Sequence, residues 1–245
     1  MRTHLLGTPV DILSFEETVA LAEQAIKSRS QCVHVALNVA KFVKMRDDPD
    51  LRADVTGGDI IGIDGMGIAW GLRLFGADKV PRVTGVDLMQ AMLKKAAENG
   101  YRPYILGATQ EILDQAVTKA RARWPGLEMA GARNGYFTAD DEVAIVQAIN
   151  ASGADCLFLA MPTPKKERFL VAYAGQLTVP FIMGVGGSVD VLAGKVARAP
   201  QWMQSAGLEW LHRLLQEPRK MFMRYASTNG RFAWIIITQR INALW

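Results

Sequence analysis

The stretch VPFIMGVGGSVDVLAG, residues 179–194, contains the pattern that decides the fold. Its apolar run at 181–183 predicts a buried strand, and the residues after the glycines predict a helix. Three glycines within four positions allow the backbone between them to turn tightly and to approach another group closely. Such a turn could hold a diphosphate with its N–H groups at the helix start, or it could simply pack the strand against the helix.

The same succession of strand, loop and helix recurs along the chain before this stretch. We predict strands at 32–37, 59–63, 103–106, 127–130, 156–160 and 181–185, and helices at 15–28, 84–100 and 138–150, among others. Regular alternation of this kind predicts an α/β fold with a mostly parallel sheet and helices on both faces. Ligands of such folds bind at the carboxyl ends of the strands, which is where candidate functional residues are sought.

The pattern changes after about residue 195, so we divide the chain into a body, 1–194, and a helical appendage, 195–245. The appendage has eight lysines and arginines against two acids, a net charge of +6, whereas the body carries −2. Two or three helices are expected, broken at Pro218 and near residues 229–230. A basic, aromatic-rich tail predicts an anionic partner, and nucleic acid, acidic lipid and a phosphate-bearing substrate all fit this composition.

Asp64 is the leading candidate for chemistry. In GIDGMG, residues 62–67, it directly follows a predicted strand, where a carboxylate could act as a general base. It could equally cap the helix that follows. A D-x-D pattern at 48–50 could hold a divalent ion, but its position in a charged turn away from any strand end favours a solvated turn. We therefore predict no metal site.

Other polar residues near predicted strand ends have two interpretations each. Asp190 could accept a hydrogen bond from a nucleotide, or could favour the start of its helix. Lys165 and Lys166 could contact phosphate or lie on the solvated surface. NGYF, residues 134–137, could border a ligand or pack in the core. A dinucleotide fingerprint, which would require GxGxxG after a strand, is not found.

Several motifs together resemble the WecG/TagA/CpsF glycosyltransferases. They are DGMG at 64–67, RVTGVDL at 82–88, NGYFT at 134–138, PKKE at 164–167 and the long segment 184–220. The resemblance covers nearly the whole chain in order. It implies a Rossmann-like body with a membrane-binding C-terminal appendage. It also implies transfer of a sugar from a UDP donor to a polyprenyl-diphosphate-linked sugar, with inversion to a β linkage and without a metal or other cofactor.

The resemblance also implies roles for individual residues. It assigns the base to Asp64, donor-site positions to Asn38, Arg82, Tyr136, Gly184, Gly186, Gly187 and Asp190, and acceptor or membrane contacts to Arg213, Arg219 and Arg224. Two positions depart from the family pattern: Ala36 stands where many members have threonine, and Lys166 where many have glutamine. Both are expected near a bound sugar, so we place Lys166 at the donor site and leave the sugar open among ManNAc, ManNAcA and glucose.

The expected setting is the cytoplasmic face of a bacterial plasma membrane, in cell-surface polysaccharide biosynthesis. No apolar run approaches the roughly 20 residues that span a bilayer, so we expect peripheral attachment to an anionic membrane surface. No nucleic-acid partner is expected. The apolar face of the tail could instead pack on the body or on a second copy of the chain. Two other functions are considered, a non-catalytic UDP- and membrane-binding module and a nicotinamide-dependent oxidoreductase.

Overall fold

The computed structural model describes residues 1–242, apart from the side chains of Lys220 and Arg224. The strands are β1 (Arg2–Leu5), β2 (Thr8–Asp11), β3 (Cys32–Leu37), β4 (Ile60–Ile63), β5 (Pro103–Gly107), β6 (Gly131–Arg133), β7 (Cys156–Ala160) and β8 (Phe181–Gly184). The helices are α1 (Phe15–Ser28), α2 (Val39–Lys44), α3 (Pro49–Thr56), α4 (Met66–Leu74), α5 (Gly85–Asn99), α6 (Gln110–Arg123), α7 (Ala139–Ala151), α8 (Lys165–Tyr173), α9 (Ser188–Leu192), α10 (Gln201–Ser205), α11 (Glu209–Gln216) and α12 (Pro218–Asn242).

The strands form one sheet in the order β1-β2-β4-β3-β8-β7-β5-β6. Every pairing is parallel except that of β1 with β2. Helices α1, α5, α6 and α9 pack on one face, while α2, α3, α4, α7, α8 and α12 contribute to the core on the other. The predicted α/β class with a mostly parallel, doubly covered sheet is therefore confirmed, and the carboxyl ends of β3, β4, β7 and β8 lie together.

Several of the predicted helices begin at capped residues. Ser14 and Glu17 form a capping box at the start of α1, and Thr138 and Asp141 form another at α7. At α5 the Thr84 hydroxyl accepts a hydrogen bond from the backbone N–H of Asp87. These contacts satisfy amide groups that have no partner inside a helix, which is why the same residue spacing marks a helix start in sequence.

One strand prediction is wrong, and one pair of strands was missed. Residues 127–130 lead into the strand β6, which begins only at Gly131, and the N-terminal hairpin of β1 and β2 was not predicted. Leu127 is apolar because it packs in the core, and Ala130 makes a single hydrogen bond to Pro103. Strand β6 lies at an edge of the sheet, where its pairing with β5 depends on backbone groups and not on an apolar sequence.

The predicted break near residues 229–230 is also wrong, because α12 runs unbroken from Pro218 to Asn242. A glycine inside a helix costs about 1 kcal/mol relative to alanine. Packing offsets this cost: Phe232 and Ile236 are buried in the body's core, and Phe232 meets Phe42 edge-on with 5.4 Å between ring centroids. Within residues 1–242, no helix combines the length and the hydropathy needed to cross a membrane.

Candidate active site

The carboxyl ends of β3 and β4 bring Asn38 and Asp64 together. Asn38 caps α2, where its Oδ1 accepts from the N–H of Lys41 at 3.0 Å. That contact turns the amide nitrogen the other way, and Nδ2 reaches Asp64 Oδ2 at 3.5 Å. The two residues are 26 positions apart in sequence and are in contact at the edge of the sheet.

The carboxylate of Asp64 does not cap the helix that follows it. Gly65 occupies the N-cap of α4, with no side-chain cap. Oδ1 of Asp64 instead accepts a hydrogen bond, 2.9 Å long, from the backbone N–H of Gly85. Gly85 is the first residue of α5. The positive end of the α5 dipole therefore faces the carboxylate. Asp64 is partly exposed, so its carboxylate is accessible from solvent.

The glycine turn adjoins the same point. The N–H groups of Val185 and Gly186 both bond to the carbonyl of Leu159, and Gly186 has a φ of +51° that favours glycine. Ser188, buried at the first position of α9, places Oγ 3.5 Å from where a Cβ on Gly85 would lie. The end of β4, the start of α5 and the start of α9 therefore meet around Gly85.

An arginine of the appendage reaches the glycine turn. A Cβ built on Gly187 would lie 2.7 Å from Nη2 and 3.1 Å from Nη1 of Arg213, so the guanidinium is in close contact with the Gly187 backbone. Nε of Arg213 lies 3.6 Å from Oε2 of Glu217, one helical turn on. Arg213 thus stands beside the turn predicted to hold a diphosphate, and not on the outer surface of the appendage.

A second set of contacts attaches the appendage to the start of α5. Arg82 forms an ion pair with Glu209 of α11, and Arg198 forms a bidentate pair with Asp87. Arg198 Nε also lies 4.0 Å from Glu209. Burial by itself raises the pKa of Asp87, but hydrogen bonds from Arg198 and Thr84 outweigh it, and the pKa is lowered. The carboxylate of Asp87 therefore stays ionised and keeps this contact.

Lys166 lies beneath the glycine turn in a buried group of charges. Its Nζ donates to Thr163 Oγ1 at 2.6 Å and lies 3.0 Å from Glu167 Oε1, which is also 3.0 Å from Nζ of Lys41. A Cβ on Gly184 would be 3.2 Å from Cδ and Cε of Lys166. Lys166 is therefore next to the predicted donor site through its methylene groups, while its ammonium is held by protein oxygens.

Tyr136 and Asp190 lie at the rim of this edge of the sheet. Tyr136 follows β6 and is 77% exposed; its N–H donates to Asn134 Oδ1 at 3.0 Å. Lys165 holds the same loop, because its Nζ donates to the carbonyls of Gly135 and Phe137 at 3.0 and 3.2 Å. Asp190 is half-buried in α9. An exposed tyrosine ring beside the strand ends is available to stack on a planar base.

Arg219 and Arg224 are the other two appendage arginines predicted to contact the acceptor or the membrane. Arg219 is exposed near the start of α12. The prediction for Arg224 concerns a side chain that lies outside the part of the chain the structure describes.

The D-x-D pattern has a structural use. Asp48 caps α3, with Oδ1 accepting from Leu51 N–H at 2.9 Å, and Oδ2 lies 3.6 Å from Arg168. Asp50 lies in the first turn of the same helix. Among residues 1–242, no group of three or more histidine, cysteine, aspartate or glutamate side chains is arranged to hold a metal ion.

Sequence reasoning missed several residues that the fold adds to this region. They are Lys41, Glu167, Ser188, Arg198 and Glu209. Glu167, Ser188, Arg198 and Glu209 had a usable signal, because they stand inside the motifs at 164–167 and 184–220. Lys41 had none, since only the folded chain brings α2 and α8 to one buried ion pair.

One comparison with known proteins bears on this site. The family model described as "Glycosyl transferase WecG/TagA/CpsF family" matches residues 3–244, which is nearly the whole chain. The match includes the strand ends, the glycine turn and the appendage, so the site lies wholly within the shared region.

Proposed function

Since the chain belongs to the WecG/TagA/CpsF family of glycosyltransferases, we propose that it moves a sugar from a UDP donor to a polyprenyl-diphosphate-linked sugar. The transfer inverts the anomeric carbon and forms a β linkage, in the assembly of a cell-surface polysaccharide. The observation that carries the proposal is the meeting of three parts at one edge of the sheet. These are a carboxylate at Asp64, the glycine turn ending at Gly187, and a cation from the appendage at Arg213.

In this proposal Asp64 is the general base. As the acceptor hydroxyl oxygen forms its bond to the anomeric carbon, Asp64 takes the hydroxyl proton and the bond to the UDP phosphate breaks. Asn38 contacts one oxygen of Asp64 and the Gly85 amide contacts the other, so the carboxylate is held in one orientation. Fixed orientation supports a single in-line displacement, in which base, nucleophile and leaving group must be aligned.

The departing UDP carries the charge that develops in the reaction. We propose that it binds at the turn from Gly184 to Gly187, beside the guanidinium of Arg213, with Arg82 and Asp190 at the margin and Tyr136 stacking on the base. Arginines placed before the reaction stabilise such charge effectively in a site shielded from water. The Gly187 N–H is the amide of the turn proposed to join them, because those of Val185, Gly186 and Ser188 already bond to carbonyls. These groups supply positive charge without a divalent ion, and transfer without a metal cofactor is part of the proposal.

The donor sugar is assigned by class only. Ala36 and Lys166 differ from the residues that many family members have, and Lys166 packs against Gly184 at the proposed diphosphate site. ManNAc, ManNAcA and glucose are the candidate sugars. The ammonium of Lys166 is held by Glu167 and Thr163, so its methylene groups border the proposed site and its charge leaves the choice among the three sugars open.

We propose that the enzyme works peripherally on the cytoplasmic leaflet. Helix α12 carries five lysines and arginines and no acid. The face opposite the buried Phe232 and Ile236 exposes apolar side chains, namely Met223, Trp234, Ile237 and Ile241. Aromatic and apolar groups beside cations are typical of helices that lie in an anionic interface. Because all charged side chains of α12 have the same sign, pairing two copies through this face would be opposed by repulsion.

The test is a panel of UDP-sugars offered to a synthetic prenyl-diphosphate-linked sugar, with product anomers identified by NMR. We expect β-linked product from one donor. UDP binding with neither transfer nor donor hydrolysis would instead identify a non-catalytic binding module. A melting temperature raised by NAD but not by UDP would contradict the proposal and favour a nicotinamide-dependent oxidoreductase.

A further inference from the structure

A buried group of three charges lies below the site and has no role in the proposed reaction as described so far. Lys41, Lys166 and Glu167 have side chains that are 5%, 9% and 3% exposed, respectively. Oε1 of Glu167 is shared: it lies 3.0 Å from each ammonium and accepts from Thr163 Oγ1 at 3.1 Å. Two cations thus share one carboxylate oxygen in a region with little water.

This group touches both halves of the site. Lys41 belongs to the first turn of α2, and its backbone N–H holds Oδ1 of Asn38 at 3.0 Å, which directs the amide nitrogen toward Asp64. On the other side, the methylenes of Lys166 pack against Gly184 at the end of β8. Glu167 therefore joins the base and the proposed diphosphate turn through one lysine each.

The electrostatics make Glu167 the essential member. Burial by itself raises the pKa of Glu167, but the charges and hydrogen bonds of Lys41 and Lys166 outweigh it and lower the pKa. The carboxylate is thus ionised at neutral pH. Without it, two buried ammonium groups would face each other, and breaking a buried pair by removing one partner is strongly destabilising.

Resting on the function proposed above, we infer that Glu167 is a positioning residue for the transfer reaction. Glu167 holds Lys41 and Lys166 on a single oxygen. It thereby fixes the distance between the Asn38–Asp64 pair and the glycine turn at Gly184. The base and the donor phosphate sit on different strands, β4 and β8, so their separation depends on a cross-connection of this kind. Misplacement of reacting groups by about 1 Å can reduce a rate by about 10²-fold.

Two variants separate positioning from stability. Glu167→Gln keeps the shape but removes the carboxylate that both lysines contact, so we expect a lower melting temperature and a fall in kcat. Adding Lys41→Met removes one cation and restores the parent's net charge at the group. Stability should then recover, whereas kcat should stay at least about tenfold below the parent, because the Lys41–Glu167 ion pair that ties α2 and its Asn38 cap to α8 is still missing. UDP affinity should stay within about threefold throughout, since the inference concerns the distance of the turn from Asp64, and the turn keeps its own contacts with Leu159 and Arg213.

The measurements are melting temperature, kcat and KM for the donor, and UDP affinity, each corrected for folded protein. Glu128→Gln, an exposed glutamate away from the site, is the matched control and should behave as the parent. If kcat recovers together with stability in the double variant, Glu167 is merely structural and the inference is wrong. A parent protein that transfers no sugar would overturn the proposed function, and this inference with it; normal turnover in Glu167→Gln would overturn this inference alone.

Discussion

The guanidinium of Arg213 lies directly on the backbone of Gly187: a Cβ there would stand 2.7 Å from Nη2. Residue 187 belongs to the body and residue 213 to the appendage, so the glycine turn and the basic tail that follows it form a single surface. Glu209 strengthens this junction through its ion pair with Arg82. The appendage therefore contributes a side chain to the proposed donor site.

This contact predicts that the arginines of the appendage differ in function. Arg213→Ala should reduce transfer to a short-chain, soluble acceptor by about 10²-fold, which is the usual size of a lost oxyanion contact. Arg219→Ala, which removes an exposed arginine, is the control and should leave transfer to the soluble acceptor nearly unchanged. Both would be measured by product formation in detergent-free buffer. Equal small effects would remove Arg213 from the active site.

Asp64→Asn should lower turnover by roughly 10²-fold or more and leave UDP affinity nearly intact, because a general base acts on the acceptor proton and not on the nucleotide. The amide keeps the shape of the side chain but cannot take a proton. Turnover and UDP titration by calorimetry test this, with Asp50→Asn in the first turn of α3 as control. Turnover within threefold of the parent would exclude Asp64 as the base.

Transfer should proceed in excess EDTA. Asp48, half of the D-x-D pattern, is already used as the cap of α3. Positive charge for the leaving group is proposed to come from arginines and backbone amides. Activity would be measured before and after chelation. A loss that Mg²⁺ or Mn²⁺ restores would contradict metal independence.

Lys166→Gln should change the order in which UDP-sugars are used. The reason is that the substitution shortens the side chain that packs against Gly184 and restores the amide many family members have. Relative kcat/KM values across a donor panel test this. An unchanged order with unchanged rates would confine Lys166 to the buried charge group.

His34 should make the protein less stable in mild acid. Burial, assisted by the charge of Lys41, lowers the pKa of His34 to about 4. The unfolded chain takes up a proton near pH 6.5 and the folded one only near pH 4. Stability is therefore full above about pH 6.5 and falls by about 3 kcal/mol as the pH drops through that window.

His34→Leu should flatten this part of the curve, because leucine does not titrate and needs no hydrogen bond. The free energy of unfolding would be measured by urea titration between pH 4 and pH 8. Parent and variant should run parallel above pH 7. A parent curve as flat as the variant's between pH 6.5 and pH 4 would contradict the lowered pKa.

The outer face of α12 should bind anionic liposomes. Trp234→Ser together with Ile237→Ser should reduce the bound fraction at least about tenfold, since burying one such side chain contributes about 2 kcal/mol. Val171→Ser, a similarly exposed apolar residue on α8, is the matched control. Binding should also weaken as salt increases, because exposed charges are screened. A parent protein that does not sediment with anionic liposomes at low salt would rule out the peripheral-membrane role.

The sequence by itself determined the elements and the order of the functional motifs. Strand and helix periods, the capping residues Ser14, Thr84 and Thr138, and the glycines at 184–187 are local signals, so they can be read without knowing the fold. They gave the α/β class and directed attention to Asp64 and Asn38 at strand ends. The same local logic failed at residues 127–130 and 229–230, where distant packing decides the outcome.

Only the tertiary structure decided which charges meet. Arg213 lies on the backbone of Gly187, Glu209 pairs with Arg82, and Glu167 pairs with Lys41 and Lys166. Lys166 and Glu167 are neighbours in the sequence, but the partners in every other contact are far apart. An ion pair depends on distance and burial, and both are set when parallel strands bring far-apart loops to one edge of the sheet. The sequence therefore shows which charged residues could form ion pairs, while the fold determines which of them do.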